Sequence, residues 1–331
     1  MDINLKGMLR SLLVVAAIVG ASSASASLAP FQSFVGKYAM STDGFGSTSE
    51  SGVISASVPA GSTIVAAYLY SATNNTNNVP AVTLDGNLVA FGPAVSNATA
   101  CCNLKSYRAD VTSLVAAAIN GGSGGIYNFN ITEGNAGFTQ IDGEALVVVY
   151  SNPALPEATV GLLDGFASVT GDTTNINFAT PLNPADPAFF AEMSLGISFS
   201  CCDNQRSTVK VNDQLLTENA GNYDDGAQLA NGSLITVGGF DDALSSGGDS
   251  YANDGERYNL ASFVFAGDTT IKVDTFNASQ DDNIFFAGFY VSGKAGINEE
   301  PPTDVPEPGS MPLLLLGVAA LLFARKREFL S

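Results

Sequence analysis

The densest run of reactive side chains lies between residues 213 and 257, where nine Asp and Glu residues meet one base, Arg257. Asp224, Asp225, Asp241, Asp242, Asp249, Asp254 and Glu256 stand there among Gly and Asn, with Asp281 and Asp282 just before a later apolar run. Carboxylate oxygens on glycine-containing loops suit Ca²⁺, a hard cation that takes about six to eight oxygen ligands. The spacing is not that of an EF-hand loop, so a calcium site here would be assembled from separate loops. Solvated acidic surface would give the same pattern with no ligand at all. Tyr223, Tyr251 and Tyr258 fall in or beside the segment, and aromatic faces next to carboxylates are what a sugar-binding surface uses. Two carboxyls facing each other across a sugar would also serve a glycoside hydrolase.

The four cysteines form two adjacent pairs, Cys101-Cys102 and Cys201-Cys202. Neighbouring Cα atoms lie about 3.8 Å apart, below the lower limit of about 4.4 Å for an unstrained bridge, so bonds between the pairs are favoured over bonds within them. A thiolate metal site needs ligands separated by two or so residues, and these have none between them. The sequence contains no histidine. Ser-His-Asp and Cys-His nucleophiles, His-ligated zinc and imidazole proton transfer are thereby excluded. A Gly-rich stretch, 121–125, follows a helical segment instead of opening one and has no lysine placed to meet a phosphate, so it is no phosphate loop. No catalytic residue is assigned, and the chain is expected not to be an enzyme.

The elements that would position these groups are strands. Short runs of alternating apolar and small polar residues are punctuated by Gly, Pro, Asn and Asp. They predict strands near 52–58, 63–71, 79–90, 127–132, 144–151 and 159–170, then near 192–200, 207–212, 234–240, 258–266, 270–276 and 284–292. Within 64–70 and 146–150 the apolar run is nearly continuous, as in a strand buried on both faces. Only 110–120 (DVTSLVAAAIN) reads as a helix, with Asp110 as N-cap and Gly121 beyond its end. The expected fold is all-β, a β-sandwich with the jelly roll as one candidate form, carrying one short helix. No repeat of fixed period is visible.

The two ends carry a different kind of information. Lys6 and Arg10 precede an apolar stretch, 11–20 (SLLVVAAIVG), and the small-residue run ASSASAS. This is the layout of a secretory signal peptide, forming an N-terminal helix, with Ala24 and Ala26 framing the cleavage site. At the other end Val305, Pro306, Glu307, Pro308 and Gly309 precede fourteen largely apolar residues, 311–324, and the basic cluster Arg325, Lys326 and Arg327. A helix of that apolar length is about 21 Å long, short of a hydrocarbon core of about 30 Å, so this short transmembrane helix holds the chain only weakly. The basic cluster acts as a membrane stop and marks the cytoplasmic side, leaving the body outside the inner membrane.

The order of motif, apolar span and basic cluster resembles the PEP-CTERM sorting tail. That resemblance implies recognition of Pro306, Glu307 and Pro308 by an exosortase, a multi-pass membrane enzyme that removes the tail, and an inner-membrane intermediate that ends at the cell surface or in the extracellular matrix. The phrases AAYLYSA, YRADVTSLV, GEALVVVYSNP and LLDGF resemble an uncharacterised β-sandwich domain of exported bacterial surface proteins, and they support fold and location only.

The expected organisation is a signal peptide over 1–26, an extracellular body over 27–297, a linker with the sorting motif over 298–309, and a membrane span with basic tail over 310–331. The chain carries 32 acidic against 13 basic residues, a net charge of −19. Such a surface repels nucleic acid and favours divalent cations. The expected function is that of a non-enzymatic surface or biofilm-matrix protein, with calcium as a structural ligand. A carbohydrate-binding module for exopolysaccharide is the alternative, and a glycan-active enzyme the third.

Overall fold

The computed structural model describes residues 27–76, 78–96, 103–134, 140–198, 207–221, 234–247, 255–277 and 283–302. Both terminal helices of the sequence reading fall outside them. Strand β1 (Ala29–Gly36) leads into nine further strands: β2 (Tyr38–Gly46), β3 (Ser51–Val58), β4 (Thr63–Thr73), β5 (Ala81–Leu84), β6 (Asn87–Leu88), β7 (Val95–Ser96), β8 (Lys105–Asp110), β9 (Gly125–Gly134) and β10 (Ile141–Ser151). Helix α1 (Thr112–Ile119) lies between β8 and β9. The chain continues through β11 (Ala158–Asp164), β12 (Asp172–Phe178), β13 (Ala191–Ser198), β14 (Ser207–Val211), β15 (Gln214–Ala220), β16 (Thr236–Val237), β17 (Arg257–Asn259), β18 (Thr270–Asn277) and β19 (Asn283–Ser292). It closes with β20 (Ala295–Ile297), and a 3-10 turn, Ala261–Phe263, lies between β17 and β18.

These strands form four antiparallel sheets. Sheet I has the order β3-β9-β5-β6, sheet II β2-β10-β4-β8-β7, sheet III β1-β11-β19-β13 with β16 and β17 both on β13, and sheet IV β15-β14-β18-β12-β20. Three apolar layers separate them. Ile54, Phe129 and Ile131 of sheet I meet Leu69, Leu146 and Val148 of sheet II. The opposite face of sheet II, with Tyr70, Val147 and Val149, packs on Val160, Leu162, Phe285 and Phe286 of sheet III. The far face of sheet III, with Met193, Leu195 and Val291, packs on Ile176, Val209, Ile271 and Val273 of sheet IV. The stack is therefore I, II, III, IV, and the two inner sheets have no solvent face. This explains the continuous apolar runs in β4 and β10, because a strand buried on both sides cannot alternate.

The β-sandwich of the sequence reading is present, and it is present twice. Adding nine to each strand number of sheets I and II gives the strand neighbours of sheets IV and III, save that β16 pairs with β13 where β7 pairs with β8, so β2–β10 and β11–β19 are two copies of one nine-strand unit, with β1 and β20 as additions. The match reaches single hydrogen bonds. In the first copy Asp85 and Gly86 form a two-residue hairpin turn with both φ angles positive, 49° and 75°; in the second, Asn212 and Asp213 do so at 48° and 64°. Left-handed central residues are what a type I′ turn requires. Asp85 Oδ1 accepts from Asn130 N at 2.8 Å, and Asn212 Oδ1 accepts from Lys272 N at 2.9 Å. Asp110 Oδ1 accepts from Thr112 N at 2.9 Å, as Asn259 Oδ1 accepts from Ala261 N at 3.0 Å. The sequences at these points, VTLDGNLV with VKVNDQLL and RADVTSLV with RYNLASFV, then align without a gap.

Several boundaries differ from expectation. The run at 79–90 is a hairpin and not one strand, because Asp85-Gly86 turns the chain. The strand near 159–170 stops at Asp164, and the one near 258–266 gives way to the 3-10 turn after Asn259. Helix α1 begins at Thr112, with Val111 as its cap residue, while Asp110 closes the turn before it through its bond to Thr112 N. Val115 and Ile119 of α1 are buried in the layer between sheets I and II.

Candidate functional site

The acidic segment comes into view where residues 238–242 cross the edge of sheet II. Strand β2 is that edge, and the loop attaches to it: Phe240 N donates to Thr42 O at 2.8 Å, and the Thr42 hydroxyl donates to Gly238 O. Gly239 N donates to Asp242 Oδ2 at 2.6 Å, which folds the Asp242 carboxyl back over its own loop. A Cβ on Gly239 would lie 2.6 Å from Asp241 Oδ1, 3.4 Å from Asp242 Oδ2 and 3.5 Å from Asp43 Oδ1. Three carboxyls thus converge on a glycine whose lack of a side chain makes their approach possible. Gly255 plays the same part from the other side, since a Cβ there would meet the Asp242 carboxyl at 2.8 Å.

Asp43 was not a candidate on sequence grounds, because it lies on β2, far from the acidic segment along the chain. Its Oδ2 accepts from Ser55 N at 2.5 Å. Burial pushes its pKa up from 3.8 to about 7, against the Ser55 N–H, which favours the charged form, and with help from the charges of Asp241 and Asp242. Arg257, the lone base of the segment, donates to the carbonyls of Phe240 and Asp242 at 3.2 and 3.3 Å and pairs with Glu192 Oε2 at 3.1 Å. It anchors the loop by its backbone.

The other candidates divide. Glu256 is fully buried, its Oε1 accepting from Gly221 N at 2.7 Å and its Oε2 from the Tyr258 hydroxyl at 3.0 Å. Its carboxyl is turned inward, and only its backbone neighbours the Asp242 loop. Tyr258 is itself fully buried in the layer between sheets III and IV, so it offers no face to a sugar. Asp224, Asp225, Asp249, Asp254, the four cysteines, the cleavage-site alanines, the sorting motif and the basic cluster lie outside the described residues. Among the described residues no group of three or more Asp, Glu, Cys or His forms a finished metal cage. Asp43, Asp241 and Asp242 converge without closing one.

Sequence reasoning also missed Glu133 and Glu144, both buried between sheets I and II. The signal for Glu144 was available, since a charged residue opens the apolar run EALVVVY.

An all-β body ahead of a C-terminal sorting tail defines the class: an exported protein made as a membrane-anchored precursor. The family model of the PEP-CTERM protein-sorting motif matches residues 304–327. The chain therefore carries that sorting signal, which implies export, a membrane-anchored precursor and processing by an exosortase. No curated protein matches the chain.

Proposed function

We propose that the mature protein is a non-enzymatic component of the cell surface or extracellular matrix, delivered by the exosortase route and stabilised by divalent cations at its acidic loops. The observation that carries the reading is the sorting motif at 304–327 behind an all-β body. The convergence of Asp43, Asp241 and Asp242 supports the cation: calcium would neutralise three carboxylates that otherwise repel one another, and the acids at 224, 225, 249 and 254 belong to the same stretch of chain.

Binding of matrix polysaccharide is the second reading, and the outer face of sheet IV favours it. Thr173, Asn175, Lys210, Lys272 and Asp274 present hydroxyl, amide and charged groups there, and Phe276, 49% exposed, adds an apolar surface. Flat arrays of this kind suit sugar hydroxyls and ring faces. The test is cosedimentation of the protein with the host's exopolysaccharide, in calcium and in chelator. Binding that chelator abolishes makes the protein a calcium-dependent matrix lectin. No binding in either buffer leaves the structural role, and release of reducing sugar would overturn both.

A further inference from the structure

Glu144 and Glu133 occupy one end of the layer between sheets I and II. Along β9 the inward positions are Phe129, Ile131 and Glu133; along β10 they are Glu144, Leu146 and Val148. Glu144 is fully buried and Glu133 is 5% exposed. Each has one oxygen held by a serine: Ser47 Oγ donates to Glu133 Oε2 at 2.6 Å, and Ser71 Oγ to Glu144 Oε1 at 3.0 Å. The other oxygens, Glu133 Oε1 and Glu144 Oε2, have no hydrogen-bond partner among the described residues. The two carboxyls are close enough to feel each other's charge, and burial together with the charge of Glu133 raises the pKa of Glu144. Burial also raises that of Glu133.

The second copy of the unit shows that the fold does not need this arrangement. Asp110 and Asn259 are equivalent, and they pair with Tyr68 and Glu192 respectively. Three residues further along β4 and β13, Ser71 then corresponds to Leu195, and their cross-strand partners Glu144 and Ala287 correspond in turn. By the same reasoning from the Asp85 and Asn212 turns, Glu133 corresponds to Thr275. Where the first copy buries two acids and a serine, the second buries Thr275, Ala287 and Leu195. Two buried carboxylates with open oxygens destabilise a core unless something neutralises them, and one copy in the same chain has dispensed with them.

We infer that Glu133 and Glu144 form a buried site for a hard divalent cation, calcium in the extracellular setting, with Glu133 Oε1 and Glu144 Oε2 as its protein ligands. A single bridging proton would leave one negative charge in a closed site that also feels the charge of Asp142. A divalent ion cancels both carboxylates and uses both open oxygens. A cavity of about 150 Å³, lined in part by Thr73, Gln140, Ile141 and by Gly134, the chain neighbour of Glu133, lies next to this end of the layer without being lined by either glutamate, and water reaching the pair from it would complete the shell. This site is separate from the loop around Gly239 and does not depend on it.

The test is bound calcium per chain, by atomic emission after dialysis of the full-length protein in detergent against calcium chloride at pH 7.5, together with thermal melting. The double variant Glu133→Thr/Glu144→Ala adopts the residues of the second copy, and Glu144→Gln removes one charge with little change of shape. Both are expected to bind one calcium fewer than the unaltered protein. They should also lose a calcium-dependent rise in Tm of roughly 5 °C, at calcium about 100-fold above Kd. Asp241→Asn/Asp242→Asn should keep this ion. Equal calcium content in all four proteins would overturn the inference. So would a calcium-dependent rise in Tm that is as large in Glu144→Gln as in the unaltered protein, since the pair would then be neutralised by a proton and not by the ion.

Discussion

Replacing Asp43 by Asn in calcium-free buffer should stabilise the protein at pH 8, and the sign follows from the proton. A carboxyl whose pKa is higher folded than unfolded binds its proton more tightly in the folded state. Its contribution is then complete below about pH 4 and is lost as pH rises towards the folded value of about 7. At about 1.36 kcal/mol per tenfold change in proton affinity, a rise from 3.8 to about 7 has a ceiling of about 4 kcal/mol. Residual solvent contact screens part of this, leaving ~2 to 4 kcal/mol. The Asn Oδ1 can still accept from Ser55 N, and its amide becomes a donor towards Asp241 and Asp242 in place of a repelling charge. Urea unfolding in chelator at pH 4, 6 and 8 measures the effect. The advantage of Asp43→Asn should be near zero at pH 4 and grow to its full size by pH 8, and calcium should shrink or reverse it. A variant that is less stable than the unaltered protein at pH 8 in chelator would refute the argument, because Asp43 would then be a net stabilising charge.

The duplicated turn supplies a second prediction. Asp213 holds a positive φ of 64° where the first copy has Gly86, and its ion pair with Lys272 is made by a side chain 82% exposed. Asp213→Gly should therefore raise stability by ~0.5 to 1 kcal/mol in denaturant unfolding, since the relieved backbone strain exceeds a solvent-screened pair. For the cysteines, thiol titration of the denatured exported protein should find none of the four free. Reduction should lower stability by up to about 4 to 5 kcal/mol if bridges join the two pairs across the roughly 100 residues between them.

The strands with strong apolar content were legible: β3, β4, β9, β10, β13, β18 and β19 fall where alternation or continuous apolar runs place them. Strands β1, β2, β8 and β12 were not, because APFQSFVG, YAMSTDGFG, KSYRAD and DTTNINF are rich in small and polar residues and become strands through their neighbours. The duplication was hidden for a related reason. What the copies share is a burial pattern and two turn devices, and residues of equal size and polarity satisfy these without being identical. In the acidic segment composition singled out Asp241-Asp242, but Asp43, whose carboxyl the structure brings near theirs, comes from a strand about 200 residues earlier and enters only through the fold. Glu256 shows the converse, since nothing in a run of acids tells an inward-turned carboxyl from a solvated one.

The first described strand belongs to neither copy's nine. β1 pairs along its length with β11, from Ala29 with Asp164 to Gly36 with Ala158, and after Lys37 the chain continues as β2 in the other inner sheet. A protein threaded across a membrane from its N-terminus delivers residues 29–36 well before the segment that pairs with them. Until about 130 more residues have crossed, that strand has no partner, and contacts so distant in sequence form slowly. Completion of the inner interface is thereby deferred until the second copy begins to emerge. The chain can stay extended through transit, and once folded the early strand straps the later half to the earlier one.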